Sequence, residues 1–154
     1  MTYENKRITK LRTYLIDIID TLTKDTKYQL NANMLSNDAN NYSIDKIPTA
    51  STVEKWIFGI EVHKDTFTFR GRFNYTADTI NNLENIGFFE DFEQIINQKN
   101  KNKELPEIEG IESIECLNAG TLNSATSNTA EFDIQIQIKY RVNNKKEGIS
   151  LWTM

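Results

Sequence analysis

The residues able to do chemistry are few. The chain has one histidine, His63, and one cysteine, Cys116. A single imidazole excludes two-histidine metal motifs and leaves one candidate for acid–base work. As a base, His63 needs an activated nucleophile and an orienting carboxylate. Asp65 could orient it, but no nucleophile accompanies the pair, so His63 is read as a surface residue. A lone cysteine excludes an intrachain disulfide and any multi-cysteine zinc site. Cys116 alternates with Ile114, which makes it a small core residue; a reactive thiol needs a cationic setting. The phosphate-cradling patterns G-x-x-x-x-G-K-[ST] and G-x-G-x-x-G are absent, as is the G-x-S-x-G elbow.

Carboxylates gather at Glu90, Asp91 and Glu93, at Glu107, Glu109, Glu112 and Glu115, and at Glu131 and Asp133. Such groups can run glycoside chemistry or bind a hard cation. None has the D-x-D-x-D-G spacing of a calcium loop. They read as solvated charged faces, with a divalent-ion site at a subunit boundary as the alternative. No catalytic residue, cofactor or metal is assigned. Arg70-Gly71-Arg72-Phe73-Asn74-Tyr75 mixes cations and rings as a single-strand nucleic-acid binder does. Strand parity separates them: Arg70 and Arg72 fall on one face, Phe73 and Tyr75 on the other, so the rings are expected in the core.

The elements that must position these residues fit one domain of 154 residues. Eighteen Lys and Arg stand against 22 Asp and Glu, a formal charge of −4. A protein that coats nucleic acid carries a basic excess, so that role is disfavoured. No apolar run approaches the ~20 residues of a membrane-spanning helix, and no signal-peptide pattern follows the polar start.

Ile8, Leu11, Leu15, Ile18 and Leu22 make a helical stripe, widened by Tyr14 and Ile19. Asn31 to Asn41 reads as a loop. Tyr42, Ile44 and Ile47 suggest a strand stopped by Pro48, which lacks a ladder donor. From Thr52 to Tyr75 the pattern is β. Trp56, Phe58, Ile60 and Val62 share one parity; Phe67, Phe69, Phe73 and Tyr75 share the other. The switch needs a turn or bulge at His63-Lys64-Asp65, or alternatively a turn at Gly59. A second helix, capped by Thr76 or Asp78, is expected to bury Ile80, Leu83, Phe88, Phe92 and Ile95, with Gly87 bending or splitting it. Leu105-Pro106 stops its exit. Ile108, Ile111, Ile114 and Leu117 start a strand, and Thr121 to Thr129 reads as a flexible connection.

The clearest pattern comes last. Ala130, Phe132, Ile134, Ile136, Ile138, Tyr140 and Val142 alternate with Glu131, Asp133, Gln135, Gln137, Lys139 and Arg141. The first set is expected to pack on helices. The second is expected to face solvent, a lumen or a partner, and is the candidate subunit or lumen contact. The fold expected is α+β: a mostly antiparallel sheet with two main helices on one face. Residues 1–142 form the domain and 143–154 a C-terminal arm. Trp152 in that arm folds back on its own subunit or docks on a neighbour.

Several segments together resemble a family of phage tail-terminator or tail-completion proteins. Its members are often labelled small minor capsid proteins of phages of low-GC Gram-positive bacteria. The matching pieces are Tyr42-Ser43-Ile44 with Pro48, and Phe67-Thr68-Phe69 followed by Arg72 and Tyr75. Next come Asn85-Ile86-Gly87-Phe88-Phe89-Glu90 with Phe92, then Gln98-Lys99-Asn100 to Leu105-Pro106. Ile114-Glu115-Cys116 and the strand to Tyr140 complete the set. The ordered set covers most of residues 40–142; the stretch after Val142 is not matched.

The resemblance implies a non-enzymatic structural subunit. It would form a ring, typically a hexamer, capping the tail tube of a phage or phage-tail-like particle such as a tailocin. The ring would end tube polymerisation and make the head-proximal or collar joint. The implied partners are the tail tube protein and a sheath or head-connector protein. DNA would pass through the ring without sequence-specific binding. No membrane is involved; the location implied is the virion tail, assembled in the host cytoplasm. A head–tail connector or stopper, or a minor capsid protein, is the neighbouring alternative. A small acyltransferase-like enzyme is more remote, because the six glycines are scattered.

Overall fold

The two longest strands pair with each other over their whole length. In the computed structural model, β4 (Ile60–Asn74) runs antiparallel to β7 (Thr129–Asn143). The register is unbroken from Ile60 opposite Asn143 to Asn74 opposite Thr129. Around this spine lie α1 (Arg7–Leu22), β1 (Leu30–Ala32), β2 (Asn41–Ile47), β3 (Thr52–Lys55), α2 (Thr79–Lys101), β5 (Ile111–Cys116) and β6 (Thr121–Ala125). The seven strands among the described residues form one sheet in the order β1-β2-β4-β7-β5, with β3 also on β4 and β6 also on β7. Every pairing is antiparallel except β1 with β2. The structure describes residues 2, 5–23, 28–37, 39–48, 52–55, 57–74, 79–126 and 128–143. The expectations for Trp56, Tyr75, a cap at Thr76 or Asp78, the Ile80 side chain, and the arm beyond Asn143 with Trp152 lie outside the described residues.

Alternation decides which face each strand buries. Phe67, Phe69 and Phe73 of β4 lie on the same face as Phe132, Ile134, Ile136, Ile138 and Tyr140 of β7, and all are buried. Tyr42 and Ile44 of β2 join them. Helix α1 brings Leu11, Leu15, Ile18 and Ile19 to this face, and α2 brings Phe89, Phe92 and Ile96. Both helices therefore share one core with one side of the sheet, the α+β arrangement expected. Burying each such side chain stabilises the fold by ~1.5–3 kcal/mol. Phe69 is the centre: its ring stacks 4.7 Å from Phe92 and 5.6 Å from Tyr42. Gly71 occupies the core face between Phe69 and Phe73. A Cβ there would stand 2.8 Å from Phe73 and 3.2 Å from Tyr42, so the rings need the missing side chain.

Five local expectations are corrected. There is no turn or bulge at His63-Lys64-Asp65; β4 passes straight through. The chain turns instead at Phe58–Gly59, the alternative position, where φ is +66° and +78°. Gly59 takes that left-handed backbone without strain. Val62 therefore lies opposite the phenylalanines, buried but outside the main core.

Helix α2 is continuous through Gly87, and its buried stripe is Asn85, Phe89, Phe92 and Ile96. Phe88 and Ile95 only flank it, and Leu83 is exposed. The adjacent rings Phe88 and Phe89 allowed either face. Phe89 points inward because Phe69, Phe73 and Phe132 surround it.

The connection expected over Thr121 to Thr129 contains β6, which covers the outer edge of β7 beside Phe132. Backbone donors on that edge need partners whatever the side chains, so a sequence of small polar residues suffices. Likewise the Asn-rich loop begins with β1, whose Leu30 is buried.

Candidate subunit-contact face

The side of the sheet away from the helices carries the candidate residues. Register sets Arg72 opposite Glu131, Arg70 opposite Asp133, Thr68 opposite Gln135 and Thr66 opposite Gln137. From β2, Ser43 lies opposite Arg70 and Asp45 opposite Thr68. Opposite charges directly across an antiparallel pair attract.

The face is not wholly solvent-facing, which corrects the expectation for its first residue. Glu131 is buried, at 7 % exposure. It can be, because cations and an amide surround it. Arg70 Nη1 lies 3.6 Å and Arg72 Nη2 3.7 Å from Glu131 Oε1, and the Asn123 amide donates to Glu131 Oε2. Asn123 sits at a register shift between Leu122 and Ser124, and this bulge belongs to the strand not foreseen. Arg70 also pairs with Asp45, Nε to Oδ2 2.6 Å. Arg72 Nε donates 2.8 Å to the Ser36 carbonyl, and the Met34 amide donates 3.1 Å to Ser43 Oγ. The loop between β1 and β2 thus ties down one end of the face. Burial, then the charge of Glu131, pushes the Asp133 carboxyl above its ordinary value; Arg70 opposes this.

Further along, Asp133, Gln135, Gln137 and Lys139 are half-buried and Arg141 is exposed. Gln137 Nε2 donates 3.3 Å to Thr66 Oγ1, and Arg141 pairs at 2.8 Å with Glu112 of β5. The structure therefore brings Glu131 and Asp133 together with Arg70, Arg72 and Asp45. It leaves Gln135, Gln137, Lys139 and Arg141 as a separate band along the same strand. Arg70 and Arg72 are compensated by carboxylates, so they do not offer free charge to phosphates.

The other chemical candidates have structural roles. His63 Nε2 lies 2.7 Å from Glu61 Oε1, so Glu61 rather than Asp65 is its carboxylate partner. Asp65 is buried and serves a different cluster. Arg7 Nε donates to it at 2.9 Å and the Tyr140 hydroxyl at 3.3 Å, while Arg7 also lies 4.4 Å over the Tyr140 ring. The Cys116 thiol is pushed up to about 12 by burial and by Glu93 and Glu115, so it stays protonated at neutral pH. Among the described residues, no three His, Cys, Asp or Glu side chains come together to hold a metal, and no helix is long and apolar enough to cross a membrane.

Asp45, Ser43 and Asn123 are the members of the face that sequence reasoning missed. Parity within β2 placed Ser43 and Asp45 opposite the buried Tyr42 and Ile44, which was the available signal. The chain matches no known protein-family model and no curated protein sequence.

Proposed function

We propose that this chain is a non-enzymatic ring subunit that caps the tail tube of a phage or phage-tail-like particle. It ends tube polymerisation and makes the joint to the head or collar. The supporting observation is the ordered set of motifs from Tyr42 to Tyr140, carried by an α+β chain whose described helices α1 and α2 share one face of the sheet. The opposite face, from Asp45 through Arg70 to Glu131, is broad and polar. Wide polar surfaces suit contacts between subunits that fold before they assemble.

Head-to-tail repetition of one contact closes a ring when its rotation closes; a hexamer is the expected form. The partners are the tail tube protein on one side and a sheath or head-connector protein on the other. The compensation of Arg70 and Arg72 agrees with DNA passing through without being gripped. The site of action is the head-proximal end of the tail, assembled in the host cytoplasm.

Electron microscopy of particles made with and without the chain tests the proposal. The expected result is tails of uniform length ending in a ring, against over-long, uncapped tubes when the chain is missing. Normal tail lengths without it, and no binding to purified tubes, would sink the reading.

A further inference from the structure

Two lysines face each other on the polar side of the sheet. Lys64 of β4 lies directly opposite Lys139 of β7, which sets their Cβ atoms about 4.5–5.5 Å apart. Both are half-buried. Among the described residues, neither has a carboxylate within ion-pair distance. Glu115, opposite Gln137 and so diagonal to Lys139, is exposed and stays outside that distance. Like charges directly opposite on a sheet repel. Elsewhere on this face the register does the reverse, setting Arg70 opposite Asp133 and Arg72 opposite Glu131. The lysine pair is the place where two ammonium groups meet without a counter-charge.

The helix side carries the complement. An open groove of about 440 Å³ lies between the end of α1 and the second half of α2, lined by Leu22, Asp91, Gln94, Ile95 and Gln98. The four α2 residues recur at helical spacing and so share one face of that helix. Leu22 and Ile95 are half-buried against the core and give the groove an apolar floor. Asp91 is the only charged group in this lining. It is exposed and has no ion-pair partner among the described residues. An apolar floor beside one carboxylate and two amide oxygens suits a lysine side chain: the stem lies on the floor and the ammonium donates to the oxygens.

We infer that this groove receives an ammonium group of the Lys64–Lys139 pair from a second copy of the chain. The inference rests on the reading that copies assemble with one another. Position selects a second copy. Lys64 and Lys139 have the parity opposite to the buried Phe67 and Ile138, so they project from the face away from the helices. The groove lies in the helix layer on the other side. The sheet and the core between them keep each lysine from the groove of its own subunit. Each copy then gives a side chain at one surface and receives one at another, the head-to-tail contact from which rings are built. Seating one ammonium beside Asp91 also relieves the repulsion within the pair.

Charge reversal in full-length chains tests this. Self-association is followed by sedimentation velocity at low salt, where charge pairs are least screened. Asp91→Lys should weaken association several-fold, and so should Lys64→Glu combined with Lys139→Glu. The triple variant, which exchanges the two signs, should recover most of the loss. Glu107→Lys, at an exposed carboxylate before β5, should leave association unchanged. Thermal melts check that each variant folds; Lys139→Glu alone replaces the double reversal if the latter does not. A chain that stays monomeric at every concentration overturns the inference. So does a triple variant no better than the separate reversals, or a Glu107→Lys as damaging as Asp91→Lys. The measurement needs no tail tube, so capped tubes without rescue remove this contact alone, and rescue without capping removes the tail reading alone.

Discussion

Arg7 Nε donates a 2.9 Å hydrogen bond to Asp65 Oδ2, tying the first turn of α1 to the middle of β4. Asp65 shares the parity of Phe67 and Phe69 and is 3 % exposed, so the carboxylate sits in a core position. Its partners are the Arg7 guanidinium, the Tyr140 hydroxyl and, at 3.9 Å, the Lys46 ammonium. Arg7 is partly exposed and keeps the cluster in touch with water. The cluster holds the start of α1 against β4 and the Tyr140 ring.

Arg7→Ala should therefore destabilise the chain by about 1–3 kcal/mol, the cost of leaving a buried polar group short of a partner. Arg7→Lys should recover only part of this, because an ammonium cannot both reach Asp65 and lie flat on the Tyr140 ring. Urea denaturation measures both. A neutral Arg7→Ala would mean that Lys46 and Tyr140 satisfy Asp65 alone.

Alkaline pH should weaken the fold. The Tyr14 hydroxyl donates 2.7 Å to the Glu104 carbonyl, and burial, then the Glu104 charge, pushes its pKa up to about 12. Burial and Asp65 also raise Tyr140. The unfolded chain loses these protons first, near the ordinary value of about 10. The stabilisation is complete below that value and is lost as pH rises through the folded pKa. Melting temperatures should hold from pH 8 to about pH 9 and fall from there to pH 11, with Tyr14→Phe falling less steeply than the parent. Parallel curves would show that Tyr14 does not contribute.

Glu131 and Asp133 should respond with opposite signs. Glu131→Gln removes the charge that compensates Arg70 and Arg72, and should cost about 1.5–3 kcal/mol. Asp133→Asn should raise the melting temperature at neutral pH. The native carboxyl holds its proton more tightly than the unfolded one, so wild-type stability falls as pH rises from the ordinary 3.8 through the folded pKa. The gain should vanish in acid, where both states are protonated. A loss at both positions would mean that the attraction of Asp133 to Arg70 outweighs its burial and the repulsion from Glu131.

The same face shows how far the sequence could be read. Strand β7 was legible because its period of two runs unbroken from Ala130 to Val142, and α1 because its stripe is continuous. Parity also placed Arg70 and Arg72 away from Phe73. It could not pair them with Glu131, because that depends on the register setting Ile60 opposite Asn143, a contact between distant parts of the chain. Strand β6 was hidden because Thr121–Ala125 carries no alternation and is exposed throughout. The turn of α2 by one residue was hidden by the adjacent Phe88 and Phe89, which only the surrounding rings distinguish.

Gly87→Ala should stabilise the chain by about 0.5–1 kcal/mol. The position is interior to α2, and a Cβ there would meet nothing within 4 Å. The gain comes from restricting the unfolded backbone rather than from a new contact. A thermal melt decides it. A loss of stability would place a neighbour over Gly87, which an assembled partner could supply only if the purified chain is not a monomer.

The alternating strand gives the sharpest contrast. Ile136 is fully buried, packed between the sheet and the helices, so Ile136→Ala should cost about 2–5 kcal/mol through lost burial and the cavity left behind. Gln135 is half-buried on the opposite face. Gln135→Ala should change subunit stability by no more than about 0.5 kcal/mol, as surface changes usually do. If copies meet through this face, the same substitution should alter tail-length distributions while leaving the melt unchanged. An acidic residue at Gln135 should do so more strongly, because Asp133 is its neighbour on the same face of β7 and the added charge changes what a partner meets there. Melts of the purified chain and tail lengths from complementation separate the two effects. A tail defect that always tracks the melt would show that the face supports folding alone, and the contact would have to lie elsewhere on the subunit.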